Sequence, residues 1–178
     1  MHIFLQGPKR AGKSTVLRKT LDILTPDDHI KLGGFFTWKG GEADPHIYMR
    51  PANYGTENAR FRLASYDLAG GGLIGDVRAF EQNGVEILTN SKDADLIIMD
   101  ELGFLESDAS IFKKAVLDTL DGSIPVFGVL RLGDVEWHKE IKRNPLVTLY
   151  NVGFDNRDDL PRELADLLKS RMQNSSVE

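Results

Sequence analysis

The chain has no cysteine among its 178 residues. This absence excludes disulfide bridges, zinc sites built from thiolates and catalytic cysteines. Histidine is scarce as well, and its positions (His2, His29, His46 and His138) lack the spacing of metal ligands, so we interpret each as a surface or core residue. Apolar runs of the roughly 20 residues that a membrane-spanning helix needs are also missing. We therefore expect no membrane partner.

The sequence also lacks long runs of lysine and arginine. The chain carries 22 lysines and arginines against 27 aspartates and glutamates, a formal net charge of −5 at pH 7. Without a basic run there is no positive track for a phosphate backbone, which argues against a nucleic-acid-binding protein.

The first residues enter an apolar segment at once, so we expect no signal peptide and a cytoplasmic location. The sequence leaves the oligomeric state open.

What the chain does contain, close to its N-terminus, is a glycine loop. Residues 7–15 read G-P-K-R-A-G-K-S-T and fit the pattern G-x-x-x-x-G-K-[ST], in which glycines let the backbone wrap a phosphate. Successive N–H groups form an anion nest, the lysine reaches the β- and γ-phosphates, and the serine hydroxyl is a hard ligand for Mg²⁺. Lys13 is thus a predicted catalytic residue and Ser14 a predicted metal ligand. The predicted nucleotide contacts in this loop are Gly7, Pro8, Lys9, Arg10, Ala11, Gly12, Lys13, Ser14 and Thr15.

The flanking sequence supports this interpretation. His2–Gln6 is a short apolar run that is typical of a buried strand. After Ser14, apolar residues recur at helical spacing from residue 16 to residue 24, and Pro26 ends the pattern. The alternative, an accidental match in a glycine-rich turn, does not predict this order of strand, loop and helix.

The rest of the chain alternates between predicted strands and helices. Strands are predicted at residues 33–38, 46–50, 60–66, 95–100, 124–130 and 146–152. Helices are predicted at residues 76–91, 107–120, 137–143 and 157–172, and a glycine-rich loop lies near residues 68–75. Such alternation predicts an α/β fold with a mostly parallel central sheet, helices on both faces and a small β-rich insert. Residues 1–178 form one domain in this interpretation.

A second motif follows the apolar segment that ends at Met99. Asp100 and Glu101 come next, and strand C-termini line the ligand crevice of a parallel sheet. Asp100 is therefore placed to hold Mg²⁺ opposite Ser14, and Glu101 to orient and deprotonate an attacking water. Glu106, one turn further on, is a rival base. In the alternative interpretation, the acids are merely solvated residues of a turn.

Several short motifs together resemble the small stand-alone P-loop nucleoside-triphosphatases, known from thermophiles and animals. Besides the glycine loop, these are G-F-F-T at residues 34–37, D-E-L-G at residues 100–103 and N-R-D-D-L-P at residues 156–161. The resemblance implies a single-domain P-loop NTPase of the ASCE (RecA-like) class. It also implies hydrolysis of ATP, GTP and other nucleoside triphosphates to diphosphate and phosphate, with Mg²⁺ as cofactor. One departure is Phe104, which stands where the family often has lysine.

Some assignments stay open at this stage. The loop with Asn156 and Arg157 is our candidate for contacts to the base, but a helix N-cap and a surface arginine explain these residues equally well. Arg131, just past a predicted strand, is a candidate for sensing the γ-phosphate. A nucleotide or small-molecule kinase is the alternative enzyme, with insert arginines such as Arg50 and Arg62 around a second substrate. A nucleotide-gated binding module is a third possibility.

Overall fold

A computed structural model describes residues 1–25, 30–53, 60–67 and 71–175, and its strands join in one sheet. The glycine loop connects the first strand to the first helix, as the sequence predicts. The strands are β1 (His2–Gln6), β2 (Leu32–Lys39), β3 (Ile47–Pro51), β4 (Phe61–Asp67), β5 (Gly72–Gly75), β6 (Leu96–Leu102), β7 (Val126–Leu130) and β8 (Val147–Asn151).

Helices connect most of the parallel strands. They are α1 (Lys13–Leu24), α2 (Val77–Ala79), α3 (Val85–Thr89), α4 (Ser110–Leu120), α5 (His138–Arg143) and α6 (Leu160–Ser175), with a π-helical turn (Phe80–Gly84) between α2 and α3. No helix in the described ranges is long and apolar enough to cross a membrane.

The sheet has eight strands in the order β5-β4-β3-β2-β6-β7-β1-β8. Strands β2, β6, β7, β1 and β8 run parallel, whereas β3, β4 and β5 continue the sheet as antiparallel neighbours. The predicted mostly parallel sheet is therefore confirmed. The β-rich insert is the antiparallel edge of this same sheet.

Two apolar cores lie on opposite faces of the sheet, because successive strand residues point to opposite sides. From β1, Ile3 and Leu5 join the core formed with α1 and α6, whereas Phe4 joins the core on the other face. There Phe112 of α4 is fully buried, and its ring centroid lies 5.8 Å from that of Phe35 in β2. The prediction of helices on both faces is confirmed.

Several predicted boundaries are wrong, each for a physical reason. Strand β6 extends to Leu102 because the backbone N–H of Glu101 donates to the Thr37 hydroxyl and that of Arg131 donates to the Leu102 carbonyl. Helix α4 begins at residue 110 rather than 107, and α6 at residue 160 rather than 157, because turns precede both. Within the predicted glycine-rich loop, residues 72–75 pair with β4 as a strand, and residues 68–70 lie outside the described ranges.

Candidate functional site

The glycine loop follows β1 and leads directly into α1. Gly7 has φ 157° and Gly12 has φ 100°, values that favour glycine. A Cβ atom on Gly7 would collide with the carbonyl oxygen of Val152, so the chain after β8 lies against the start of the loop. Arg10 also has a positive φ, of 66°. The loop therefore has the tight backbone that the sequence pattern predicts.

Lys13 lies at the first turn of α1, and its side chain folds back over the loop. Its ammonium group donates hydrogen bonds to the carbonyl oxygens of Gly7 at 2.9 Å and Pro8 at 3.0 Å. The first N–H groups of a helix have no partner within the helix and carry the positive end of its dipole. The loop thus combines a buried cation with free backbone donors, which is the chemistry of a phosphate site.

Ser14 and Asp100 meet between α1 and β6. The Ser14 hydroxyl donates to a carboxylate oxygen of Asp100 at 3.2 Å, and only 2% of Asp100 is exposed. Burial, and to a smaller degree the charge of Glu101, raises the pKa of the Asp100 carboxyl to about 6. The Ser14 hydrogen bond and the cations of Arg18 and Lys13 offset this rise in part. A buried carboxylate beside a hydroxyl is suited to a hard divalent cation.

Glu101 is half-buried and follows Asp100 in the same strand. Its backbone N–H donates to the hydroxyl of Thr37 in β2 at 3.1 Å, which fixes the residue at the end of the parallel sheet. A cavity of about 450 Å³ opens here and is lined by Lys13, Ser14, Asp100 and Glu101 together. The structure therefore brings the predicted catalytic and metal-binding residues to one place.

Glu106, the rival base, is almost fully buried and also lines this cavity. Its carboxylate accepts a hydrogen bond from the backbone N–H of Gly103. Burial raises the pKa of Glu106 to about 7, although the Gly103 hydrogen bond acts against this rise. Gly103 is also held from the other side, because the Trp137 indole N–H donates to its carbonyl at 3.1 Å. Glu106 thus stabilises the turn after β6.

Some of the cationic side chains of the predicted site line the cavity and others do not. Lys9 and Arg131 line it, whereas Arg10 is not among the described lining residues. The Arg131 guanidinium lies 4.7 Å from the ring centroid of Phe104, the residue that departs from the resembled family. Pro8 and Thr15 of the glycine loop are exposed and are not among the residues that line the cavity.

The segment between β8 and α6, which we call the terminal loop, carries the predicted residues Asn156 and Arg157 and lies beside the glycine loop. The side chains of these two residues have different contacts. The Asn156 amide is engaged within its own loop, because it accepts from the Gly153 N–H and donates to the Asn151 carbonyl, both at 2.9 Å. Helix α6 begins only at Leu160, so Asn156 precedes the helix by four residues. Arg157 approaches the glycine loop, since a Cβ atom on Gly12 would lie 3.5 Å from its Cδ.

Three residues of this region were not singled out individually from the sequence. Thr37 belongs to the G-F-F-T motif, but its hydrogen bond to β6 depends on the pairing of distant strands. Trp137 lies at the start of a predicted helix and contacts Gly103 only in the folded chain. Phe154, which lies beside Arg157, has no periodic pattern around it that indicates a site.

Comparisons with known proteins agree with this geometry. Residues 2–165 match the model of a protein family described as NTPase. Nucleoside-triphosphatase THEP1 of Methanosarcina acetivorans is 26% identical over 189 aligned positions, which cover 93% of this chain and 95% of that protein. The cancer-related nucleoside-triphosphatase homolog of Mus musculus is 27% identical over 188 positions, covering 95% and 97%.

The fold is shared with a solved member of the same group. The crystal structure of THEP1 from the hyperthermophile Aquifex aeolicus matches with a TM-score of 0.77 at 25% identity, and the match covers 95% of this chain and 99% of that one. The family model extends over residues 2–165, which include the glycine loop, β6 and the loop between β8 and α6. The resemblance drawn from the sequence motifs is thereby confirmed, and the chain belongs to the NTPase family.

Proposed function

We propose that the protein hydrolyses nucleoside triphosphates, such as ATP and GTP, to the diphosphate and phosphate with the help of Mg²⁺. The observation that carries this proposal is the single cavity that Lys13, Ser14, Asp100 and Glu101 line together. The names of the relatives from Methanosarcina acetivorans and Mus musculus support the reaction class.

Ser14 and Asp100 would hold the metal ion. Their oxygen atoms lie 3.2 Å apart, and hydroxyl and carboxylate oxygens are ligand types that Mg²⁺ prefers. Among the described residues, no group of three or more His, Cys, Asp or Glu side chains is placed so that it could hold a metal ion by itself. This composition fits a P-loop metal site, in which phosphate oxygens and water complete the ligand set. When bound, the ion neutralises charge on the phosphate chain.

The protein's own groups divide the chemistry between them. The glycine loop and Lys13 bind the β- and γ-phosphates and stabilise their negative charge. Glu101 orients a water molecule and takes its proton as the water oxygen bonds to the γ-phosphorus. The bond between the γ-phosphorus and the β–γ bridging oxygen breaks, and the nucleoside diphosphate leaves. Glu106 is less suited to be the base, because its carboxylate accepts the Gly103 N–H.

Two other functions remain as alternatives to hydrolysis. A kinase transfers the γ-phosphate to a second substrate, and a carboxylate can accept the proton of that substrate's hydroxyl. The names of the relatives, rather than Glu101 alone, therefore favour hydrolysis. A nucleotide-gated binding module would bind triphosphate yet release phosphate only slowly or in a single burst.

The test is phosphate release from ATP and GTP in three conditions: with Mg²⁺, with excess chelator, and with Mg²⁺ plus candidate acceptors. We expect steady release with Mg²⁺ alone and loss of release with chelator. Lys13→Ala is the control variant, and its turnover should be abolished because the charge facing the γ-phosphate is lost. Release that needs an acceptor would support a kinase instead, and normal turnover of Lys13→Ala would refute the phosphate-loop assignment.

A further inference from the structure

The antiparallel insert of the sheet has one covered face and one exposed face. Phe35 of β2, Met49 of β3 and Leu63 of β4 are buried in the core that also contains Phe112 of α4. Successive strand residues point to opposite faces, so Arg62, which precedes Leu63, points away from this core. Arg62 is exposed. The second face of the insert is therefore open to other molecules.

Strand register brings aromatic and cationic side chains together on the exposed face. Tyr48 of β3 lies opposite both Trp38 of β2 and Arg62 of β4. Arg50 of β3 lies opposite Phe36 of β2 in the same way. Directly opposed residues of antiparallel strands share a face of the sheet. We call this surface the insert face and define it by five residues: Trp38, Tyr48, Arg50, Arg60 and Arg62.

The aromatic rings of the insert face are engaged within the protein. Trp38 and Tyr48 are stacked, with 5.6 Å between their ring centroids and 24° between their planes. The Arg60 guanidinium lies 5.4 Å from the centroid of the Tyr48 ring, and the Tyr48 hydroxyl donates to the Asp44 carboxylate at 2.8 Å. Both rings belong to half-buried residues, whereas Arg60 and Arg62 are exposed. Guanidinium groups, rather than rings, are therefore the outermost groups of the face.

The guanidinium groups of the insert face lack a carboxylate partner among the described residues. The ion pairs in the described part of the chain include none of Arg50, Arg60 and Arg62. Arg50 donates one long hydrogen bond, of 3.4 Å, to the Pro51 carbonyl. A guanidinium carries five N–H donors in a planar fork that matches a carboxylate. Because the chain as a whole has a net charge of −5, three such cations on one face form a local positive patch that attracts acidic groups.

We propose that the insert face is a docking surface for an acidic segment of a partner protein. Carboxylates of that segment pair with Arg50, Arg60 and Arg62, because bonds between guanidinium and carboxylate groups are charge-assisted and bidentate. Small molecules bind in enclosed cavities, whereas Arg60 and Arg62 lie exposed on a sheet. Single-stranded nucleic acid needs rings on which its bases stack, and the rings here are stacked on each other. Charge complementarity therefore favours an acidic protein segment.

The insert face lies beside the phosphate site and away from the terminal loop. Trp38 also lines the cavity that contains Lys13 and Glu101. The preceding residue, Thr37, accepts the backbone N–H of Glu101. The insert lies at one end of the strand order, and β8, which leads to the terminal loop, lies at the other. A bound partner would therefore stand next to the residues proposed for hydrolysis, and its binding can be measured without nucleotide.

The experiment measures the binding of a fluorescent octaglutamate peptide by anisotropy. The wild type should bind the peptide, and added salt should weaken binding because it screens exposed charges. Arg62→Glu places like charges in contact and should weaken binding by roughly tenfold or more. Arg60→Glu, on the same face, should reproduce this loss. Arg62→Lys keeps the charge but lacks the planar fork, so it should weaken binding less than Arg62→Glu does.

The matched control is Arg143→Glu, which reverses an exposed arginine at the end of α5 and changes the net charge by the same amount. It should bind the peptide as the wild type does, and thermal melting should show all variants folded. No binding by the wild type, or equal weakening by Arg62→Glu and Arg143→Glu, would overturn the proposal. Tighter binding of an oligothymidylate of equal charge, lost in Arg62→Glu, would overturn it in favour of a nucleic acid. Wild-type dimers in sedimentation that Arg62→Glu dissociates would overturn it in favour of a second copy of the chain.

Discussion

Two consecutive carboxylates in β6 have different surroundings, and this difference suits them to the two different tasks that we propose for them. Asp100 is buried and bonded to the Ser14 hydroxyl, whereas Glu101 is half-buried, lines the cavity and is held through its backbone by Thr37. A ligand of a metal ion needs the first environment. A base that exchanges protons with water needs the second, in which its carboxylate remains accessible.

Glu101→Gln should separate chemistry from binding. Glutamine keeps the size and hydrogen-bonding reach of the side chain but lacks its basicity, and general-base catalysis contributes typically 10²–10⁴-fold in rate. We expect hydrolysis to slow by at least ~100-fold with little change in nucleotide affinity. Single-turnover kinetics and equilibrium binding measure the two effects. Glu106→Gln is the comparison, and if it proves inactive while Glu101→Gln turns over normally, Glu106 is the base.

Ser14→Ala should act on the metal ion rather than on the phosphates. The hydroxyl is a proposed Mg²⁺ ligand, so its loss should weaken nucleotide binding in the presence of Mg²⁺ more than in its absence. Titrations of ATP with Mg²⁺ and with chelator give the two affinities. Asp100→Asn removes the other proposed ligand and should show the same pattern. Losses of equal size in both conditions would exclude Ser14 from the metal site.

Between β5 and β6, a π-helical turn interrupts the helical segment, and the close packing of this segment against α4 depends on Gly84. The π-helical turn ends at Gly84, where a Cβ atom would lie 2.7 Å from two ring carbons of Phe112. That ring is fully buried and also packs against Phe80, with 5.3 Å between the ring centroids. Because the ring has no free space into which to turn, the helix approaches α4 this closely only with glycine at the contact.

Gly84→Ala should therefore destabilise the protein, although alanine favours helices by about 1 kcal/mol over glycine. Overpacking a filled core costs typically about 1–3 kcal/mol, so we expect a net loss of up to ~2 kcal/mol in the free energy of unfolding. Denaturant titration measures it. Gly41→Ala is the control, since nothing lies within 4 Å of the added Cβ atom and no loss should follow. An unchanged midpoint for Gly84→Ala would show that Phe112 repacks without cost.

How far the sequence predicts each element depends on where its hydrogen bonds go. The order β1, glycine loop and α1 is predicted correctly because spacing within a dozen residues determines it. The end of β6 is not, since its last residues are held by Thr37 of β2 and by Arg131, which follows the end of β7. Strand β5 has two glycines in four residues and no apolar alternation, so only its pairing with β4 reveals it. In the same way, nothing local to Phe154 indicates its place beside Arg157.

For the molecule as a whole, stability depends on a histidine at the second position of the chain. His2 is fully buried between α4 and β7, where one ring nitrogen lies 2.9 Å from the Leu120 carbonyl and the other accepts the Val126 N–H at 3.1 Å. The ring is therefore neutral, with its proton on the nitrogen that faces Leu120. Burial, assisted by the charge of the amino-terminus, lowers the pKa of His2 to about 4.

This lowered pKa predicts a loss of stability in acid. In the unfolded chain His2 takes up a proton near pH 6.5, so its contribution is complete above that pH and is lost as the pH falls toward about 4. At about 1.36 kcal/mol per pKa unit, the loss is at most about 3 kcal/mol. Buried His138, with its pKa lowered to about 4, acts in the same direction, whereas Glu106, with its pKa raised to about 7, acts in the opposite one.

The difference between the wild type and His2→Gln isolates the contribution of His2, because the other groups are common to both proteins. Glutamine also offers a donor and an acceptor but does not titrate. We expect the wild type to lose its advantage over the variant between about pH 6.5 and about pH 4, as measured by urea unfolding at a series of pH values. A constant difference across this range would show that His2 remains accessible to protons in the folded protein.

The pairing of β1 with β7 and β8 also determines when the growing chain can fold the region around its glycine loop. β1 is translated before the other strands of the sheet, yet it pairs with β7 and β8, which follow much later in the chain. The Val152 carbonyl that lies against Gly7 emerges late as well. A nascent chain therefore carries its glycine loop for most of translation without the framework that shapes this loop. Partly made chains should not sequester cellular nucleotide, and their unpaired apolar first strand is the segment that a chaperone would protect.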